Sequence, residues 1–271
     1  MRSPLGRSFR FALVYAIALA LCFPILWTVF TGLKTEADAI ATPPTIFVPL
    51  SLDHYREALL GDYEHYLANT VAAVVGSVAA AFALGLPAAY RLAFFPGRKA
   101  NDILFFALST RFMPGVAVIV PVFLVYTKIG LIDSLFGLVL IYTALNLPIV
   151  MWLMRSFFRD IPFEIVESAL LEGAPHRVIF LQIVIPLAKA GLATTAFLLM
   201  ILTWNEFFFA VNLTGRAAAT LPVYMASFFT SEGQSWARMS AAAILAVAPV
   251  LAFGWIASRA LVKGALAGAV K

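Results

Sequence analysis

Six long apolar runs, near residues 11–33, 67–90, 103–127, 134–154, 190–211 and 240–261, decide what this chain can fold into. A bilayer core about 30 Å thick takes roughly 20 apolar residues per helical span. A membrane β-barrel would alternate polar and apolar residues in short strands, and these runs do not alternate. The expected fold is therefore all-α: a polytopic membrane protein with six transmembrane helices in one domain over 1–271. Composition agrees. The chain has 62% hydrophobic and only 12% charged residues, with a mean hydropathy of +0.94, outside the range of a soluble domain of this length.

The first run follows Arg2, Arg7 and Arg10, as a signal peptide would, but continues through LALCFPILWTVF without a small-residue cleavage pattern. It is read as an uncleaved span, and Cys22 within it as an ordinary apolar core residue. Lys and Arg concentrate on the cytoplasmic side of membrane proteins. With the N-terminus inside, thirteen of the nineteen basic residues fall in inner segments and five in outer ones, leaving Arg111 within a span. Both termini are thus expected to be cytoplasmic. The net charge of +5 is a topology signal and gives no argument for nucleic acid.

This orientation makes 155–189 the longest cytoplasmic segment, and it contains ESALLEGAPHRVIFLQIVIPLAKAGL from Glu167 to Leu192. Pro162 suits a first helical turn, Glu164 and Glu167 favour the positive N-terminal end, and Gly173 suits a left-handed stop. Pro175 can open a second helix, which Pro186 interrupts. Ile165, Val166, Ala169 and Leu170 share a face at helical spacing. Such an element can lie among lipid headgroups, but Asp160, Glu164, Glu167 and Glu172 suit an anionic leaflet poorly and favour a protein partner.

The segment resembles the cytoplasmic loop of permeases in ATP-binding-cassette importers, whose pattern runs Glu-Ala-Ala, two residues, Asp-Gly-Ala, then an apolar stretch ending Ile-x-Leu-Pro. Glu167, Ser168, Ala169, Glu172, Gly173, Ala174, Phe180, Ile183, Ile185 and Pro186 match in spacing, with Ser168, Glu172 and Ile185 as conservative departures. LKTEADAIATPPTIFVPLSLDHYREAL, TALNLPIVMWLMRSFFRDIP and LTWNEFFFAVNLT resemble regions of the carbohydrate, maltose-type permeases, and ALVKGALAGAVK the ends of the mannitol and sorbitol subfamily.

The resemblance implies a multi-pass permease of the bacterial inner membrane. It would pair with a second permease as a heterodimer, with two ATPase subunits and with an external solute-binding protein, to carry a carbohydrate such as a polyol. Glu167, Ser168, Ala169, Glu172, Gly173 and Ala174 would couple it to the ATPases. ATP and Mg would belong to those partners, with no cofactor or metal on this chain.

Charges inside spans are costly, so each needs a partner or a cavity. Arg111 lies about 13 Å into the third span at 1.5 Å per residue, before a kink expected at Pro114. Glu206 lies beside Trp204 and Asn205 in the outer half of the fifth span. These polar groups either cross-link helices or line a solute pathway. Their depths differ by roughly two helical turns, which argues against a direct Arg111–Glu206 pair. Tyr142 and Asn146 are of types that stack on or bond to sugar hydroxyls. Gly76, Ala80 and Ala83 are expected to permit close helix approach.

No phosphate-cradling G-x-x-x-x-G-K-[ST] loop, H-E-x-x-H pair or G-x-S-x-G elbow occurs, so the chain is not expected to be an enzyme. An ion-gradient-driven secondary transporter is the competing class. It would call for more intramembrane carboxylates and an internal repeat.

Overall fold

The computed structural model describes the backbone of residues 4–230 and 233–268, and the side chains of Phe11, 13–228 and 235–255. Of the basic residues used to orient the chain, the side chains of Arg2, Arg7, Arg10, Arg259, Lys263 and Lys271 lie outside the described set, as do all those of the closing ALVKGALAGAVK.

Helices dominate. In chain order they are α1 (Pro4–Gly32), α2 (Glu36–Ala39), α3 (Asp53–Leu60), α4 (Tyr63–Phe94), α5 (Ala100–Arg111), α6 (Gly115–Ile129), α7 (Leu135–Arg159) and α8 (Phe163–Leu171). Then follow α9 (His176–Val178), a π-helical turn (Ile179–Val184), α10 (Ile185–Leu187), α11 (Lys189–Trp204), α12 (Phe208–Leu213), α13 (Leu221–Ala226) and α14 (Trp236–Gly268). A two-residue antiparallel pair, β1 (Phe229–Thr230) with β2 (Gly233–Gln234), precedes α14.

Among the described residues four stretches, Leu13–Gly32, Tyr63–Phe94, Leu135–Arg159 and Trp236–Trp255, are long and apolar enough to cross a membrane. Two further pairs qualify when each is counted as one span: α5 with α6, bent by 87°, and His176–Leu187 with α11, bent by 77°. The first bend has a local cause. Pro114 lacks an N–H and disfavours helix at the residue before it, so α5 ends at Arg111 and Pro114 caps α6. The expected kink is thus a full break. Pro186, by contrast, is accommodated in α10, immediately after the π turn, and the chain bends at Ala188 instead. The run expected to continue to residue 211 stops at Trp204.

The chain divides into two packed units, one of 1–64 with 224–248 and one of 65–223 with 249–271. In the first unit the Glu36 carboxylate accepts the backbone N–H groups of Ala237 and Arg238 at 3.0 and 3.1 Å. An anion at a helix N-terminus meets unpaired N–H groups and the positive end of the dipole, so Glu36 caps α14. Lys34 is buried, donates to the Thr45 carbonyl and lies over the Trp27 and Phe30 rings. Cys22 is exposed on α1, against the expectation of a core position, because that stretch of α1 is exposed throughout.

In the second unit α7 is the central helix. Val150, Met154 and Phe158 are wholly buried among Ala81, Ala89 and Tyr90 of α4, Ile179 and Val184 of the π turn, and Leu199 of α11. Tyr126, Leu138, Tyr142, Phe209 and Leu213 form a second cluster. The close approach of α4 to α7 runs through Gly76 and Gly85, where an added Cβ would lie 3.0 Å from Val139 Cγ2 and 2.7 Å from Val150 Cγ1. Ala83, expected to share this role, is exposed.

Candidate functional site

Two groups of the expected site residues lie in the second unit, and α8 carries the first. Pro162 stands at its N-cap with extended ψ, and Phe163–Leu171 follow as helix. Val166 and Ala169 turn inward, buried beside Phe158, Ile179 and Val184, with Leu170 partly buried against the same cluster. Ile165, placed on this face by spacing, is 40% exposed, so the inward stripe is narrower than expected.

The helix ends in a Schellman turn. The Gly173 N–H donates to the Leu170 carbonyl and the Ala174 N–H to the Ala169 carbonyl, both at 3.0 Å. Gly173 has φ +81°, which a side chain would strain, although no atom lies within 4 Å of where its Cβ would be. Glu167, Ser168, Glu172 and Gly173 are exposed, Ala174 is half-buried and Ala169 faces the core. Ala169 therefore anchors the helix and is not available to a partner, because it lies one turn from Val166 on the inward stripe. Beyond the turn, His176 meets the Phe95 ring edge-on at 4.9 Å, and its Nδ1 lies 3.4 Å from the Tyr90 hydroxyl.

The second group surrounds a small cavity lined by Arg111, Tyr142, Leu145, Asn146, Leu202, Thr203 and Glu206. Arg111 and Glu206 thus meet at one cavity despite their estimated depths. The estimate took both runs as straight crossings, whereas α5 stands at 87° to α6 and α11 ends at Trp204, short of Glu206. Among the described residues no ion pair joins them. The Glu206 carboxylate is instead engaged by α12, with Oε1 accepting the Phe209 N–H at 2.9 Å and Oε2 the Ala210 N–H at 3.2 Å. Asn146 is buried and donates to Thr203 Oγ1 at 2.8 Å. The Tyr142 hydroxyl is buried and faces Glu206.

Trp204 and Asn205 do not line this cavity. Trp204 borders a separate apolar groove of about 540 Å³ between α4 and α11, and exposed Asn205 donates back to the Ile201 carbonyl. Thr203 was missed by sequence reasoning. Its signal was its position three residues before Glu206, one helical turn away.

A third arrangement was also missed. Asp133, at φ 52°, sits in the turn between α6 and α7. Its Oδ1 accepts the N–H groups of Gly215 and Ala218, both at 2.8 Å, and its Oδ2 that of Ala217 at 3.2 Å. Burial raises the Asp133 carboxyl, but the three N–H donors, with the nearby charge of His65, outweigh it and hold the group below the usual carboxylate range.

Residues 81–264 match the family model described as the binding-protein-dependent transport system inner membrane component. The chain belongs to that family. The matched region takes in α8, the cavity and Asp133 of this membrane component. The chain is 35% identical over 94% of its length to a probable ABC transporter permease protein, y4oR of Sinorhizobium fredii, covering 92% of that protein. It is 33% identical to the trehalose transport system permease protein SugB of Mycobacterium tuberculosis, covering 92% of each chain. Its fold resembles that of a bacterial ABC transporter involved in alginate import, with a TM-score of 0.77, 24% identity and coverage of 96% of this chain and 98% of that one. The protein is thus an ABC importer inner-membrane permease, with sugar-transport relatives.

Proposed function

We propose that this permease forms, with a second permease subunit, the translocation pathway of an ATP-driven importer for a carbohydrate, either a polyol or a small sugar or glycoside. Both termini and the α8 segment face the cytoplasm, where two ATPase subunits hold ATP and Mg and dock on α8. An external solute-binding protein delivers the solute to the opposite face. Arg111, Tyr142, Asn146 and Glu206 line part of the pathway, with Thr203 added to them. Trp204 and Asn205 flank it.

The observation that carries this reading is the two-sided character of α8. Its outer edge presents Glu167, Ser168 and Glu172, while Val166 and Ala169 tie it to the cluster around Phe158. Movement of a docked ATPase is passed to α7 and the π turn as rigid-body motion. A carbohydrate solute is supported by the names of relatives, which specify trehalose, sulfoquinovosyl glycerol and diacetylchitobiose. Membership of the family favours this reading over an ion-gradient-driven transporter.

Two measurements test it. Gly173→Val should leave membrane insertion intact while weakening ATPase docking and transport, since a β-branched residue strains a positive φ. Wild-type transport with the ATPase still bound would remove the coupling assignment. A thermal-shift screen of the cognate binding protein should show stabilisation by polyols or small glycosides. Stabilisation by disaccharides but not by mannitol or sorbitol would remove the polyol subtype, and a response to no carbohydrate would overturn the substrate class.

A further inference from the structure

Between α12 and α13 the chain makes an irregular loop, 214–220, with no helix or strand of its own. Such a loop is ordinarily mobile. Here its backbone is held from two directions. The Asp133 carboxylate takes the three N–H groups of Gly215, Ala217 and Ala218, while the Asp133 N–H donates to the Leu213 carbonyl at 2.9 Å.

From the start of α4, Asn69 Nδ2 donates to the carbonyls of Ala217 and Ala219 at 2.9 and 3.0 Å. Thr70 Oγ1 accepts the Leu221 N–H at 2.8 Å, and His65 Nε2 lies 3.1 Å from the Arg216 carbonyl oxygen. Asn69 and Thr70 are buried. Gly215 fits so tightly over the carboxylate that a Cβ there would lie 2.9 Å from Asp133 Oδ2.

The polar capacity of the loop is therefore turned inward, yet its tip, Gly215, Arg216 and Ala217, is exposed. Three side chains, Asp133, Asn69 and His65, hold this exposed tip, which is not among the buried residues of the described hydrophobic clusters. Fixing a contact loop before association reduces the ordering entropy lost on binding. The turn at Asp133 and the start of α4 lie at the far ends of α7 and α4 from α8, which places the loop on the face opposite the proposed ATPase contact.

We infer that Asp133 is the positioning residue of this loop, holding its tip in one shape as a preformed contact for the external solute-binding protein. The inference rests on the proposed importer orientation.

The test uses the assembled importer in nanodiscs with its binding protein. Asp133→Gly removes the carboxylate and tolerates the positive φ, while Asp133→Asn keeps one oxygen able to accept the Gly215 and Ala218 bonds. Hydrogen exchange at residues 215, 217 and 218 should rise strongly in Asp133→Gly and less in Asp133→Asn. The binding-protein concentration giving half-maximal ATPase stimulation should rise about tenfold in Asp133→Gly, with the maximal rate retained and partial rescue in Asp133→Asn.

Unchanged exchange would overturn the latch. Raised exchange with unchanged half-saturation would overturn its role in docking. Should Asp133→Gly fail to assemble, Asp133→Asn decides by the same two readouts. A cysteine at Ala217 in the otherwise unaltered complex separates this inference from the reading beneath it. Crosslinks to the binding protein support the orientation whatever the latch does, whereas crosslinks to an ATPase subunit would overturn both.

Discussion

Asn146 on α7 and Thr203 on α11 share a buried hydrogen bond, with Asn146 Nδ2 donating to Thr203 Oγ1 at 2.8 Å. The amide therefore works as a helix cross-link as well as a cavity wall. Interhelical hydrogen bonds in membranes contribute on the order of 0.5–1.5 kcal/mol. A double-mutant cycle of Asn146→Ala and Thr203→Val, read by thermal unfolding in detergent, should return a coupling energy of about that size. Zero coupling would mean that Asn146 serves the cavity alone.

Gly191 of α11 rests on the Phe157 ring so closely that an added Cβ would fall 2.4 Å from Cγ. Overpacking of this kind costs typically about 1–3 kcal/mol. Gly191→Ala should lower the unfolding temperature of the purified complex, and Phe157→Ala should relieve much of that loss when the two are combined. Additive losses would show that α11 shifts as a body to avoid the ring.

For Asp133 the sign of the pH effect follows from its lowered folded value. A carboxyl with a depressed folded pKa contributes stability fully above its unfolded value, about 3.9, and loses it as pH falls through the folded value. The loop should thus remain pinned from pH 8 to about pH 4 and loosen only below that range. A spin label at Ala217 should narrow its spectrum only in this acidic range. A transition well above that range would remove the assignment to Asp133.

Glu206 divides two roles by substitution. Glu206→Gln keeps a carbonyl oxygen to accept from the first turn of α12, so assembly should be near normal, whereas Glu206→Ala leaves both N–H groups without their acceptor and should destabilise by roughly 0.5–2 kcal/mol. A pathway role further predicts that Glu206→Gln alters uptake or solute preference. Equal uptake of several polyols and glycosides by Glu206→Gln and the unaltered complex would confine Glu206 to capping.

Hydropathy made the class of fold legible because a bilayer imposes a length and a polarity on any helix that crosses it. The α8 segment was legible for a similarly local reason. Pro162 starts the helix, the apolar stripe at Val166 and Ala169 turns it inward, and Gly173 can take the φ that ends it. Each of these is set by neighbours within one or two turns. Where the expectation slipped, as at Ile165, the error was one of how wide a face the surrounding helices cover.

The cavity and the latch depend on distances that sequence spacing does not contain. Arg111 and Glu206 seemed too far apart in depth because a rise per residue measures depth only along a helix that runs straight across the membrane, whereas α5 stands at 87° to α6 and α11 ends before Glu206. Nothing near Asp133 in the sequence marks it, since its partners lie more than eighty positions away in a loop with no regular structure. By itself the sequence determined that this chain spans a membrane and carries a bent acidic helix, because apolar periodicity and backbone stereochemistry act locally. Only the tertiary structure decided which polar groups meet, because a hydrogen bond is settled by an ångström of helix placement.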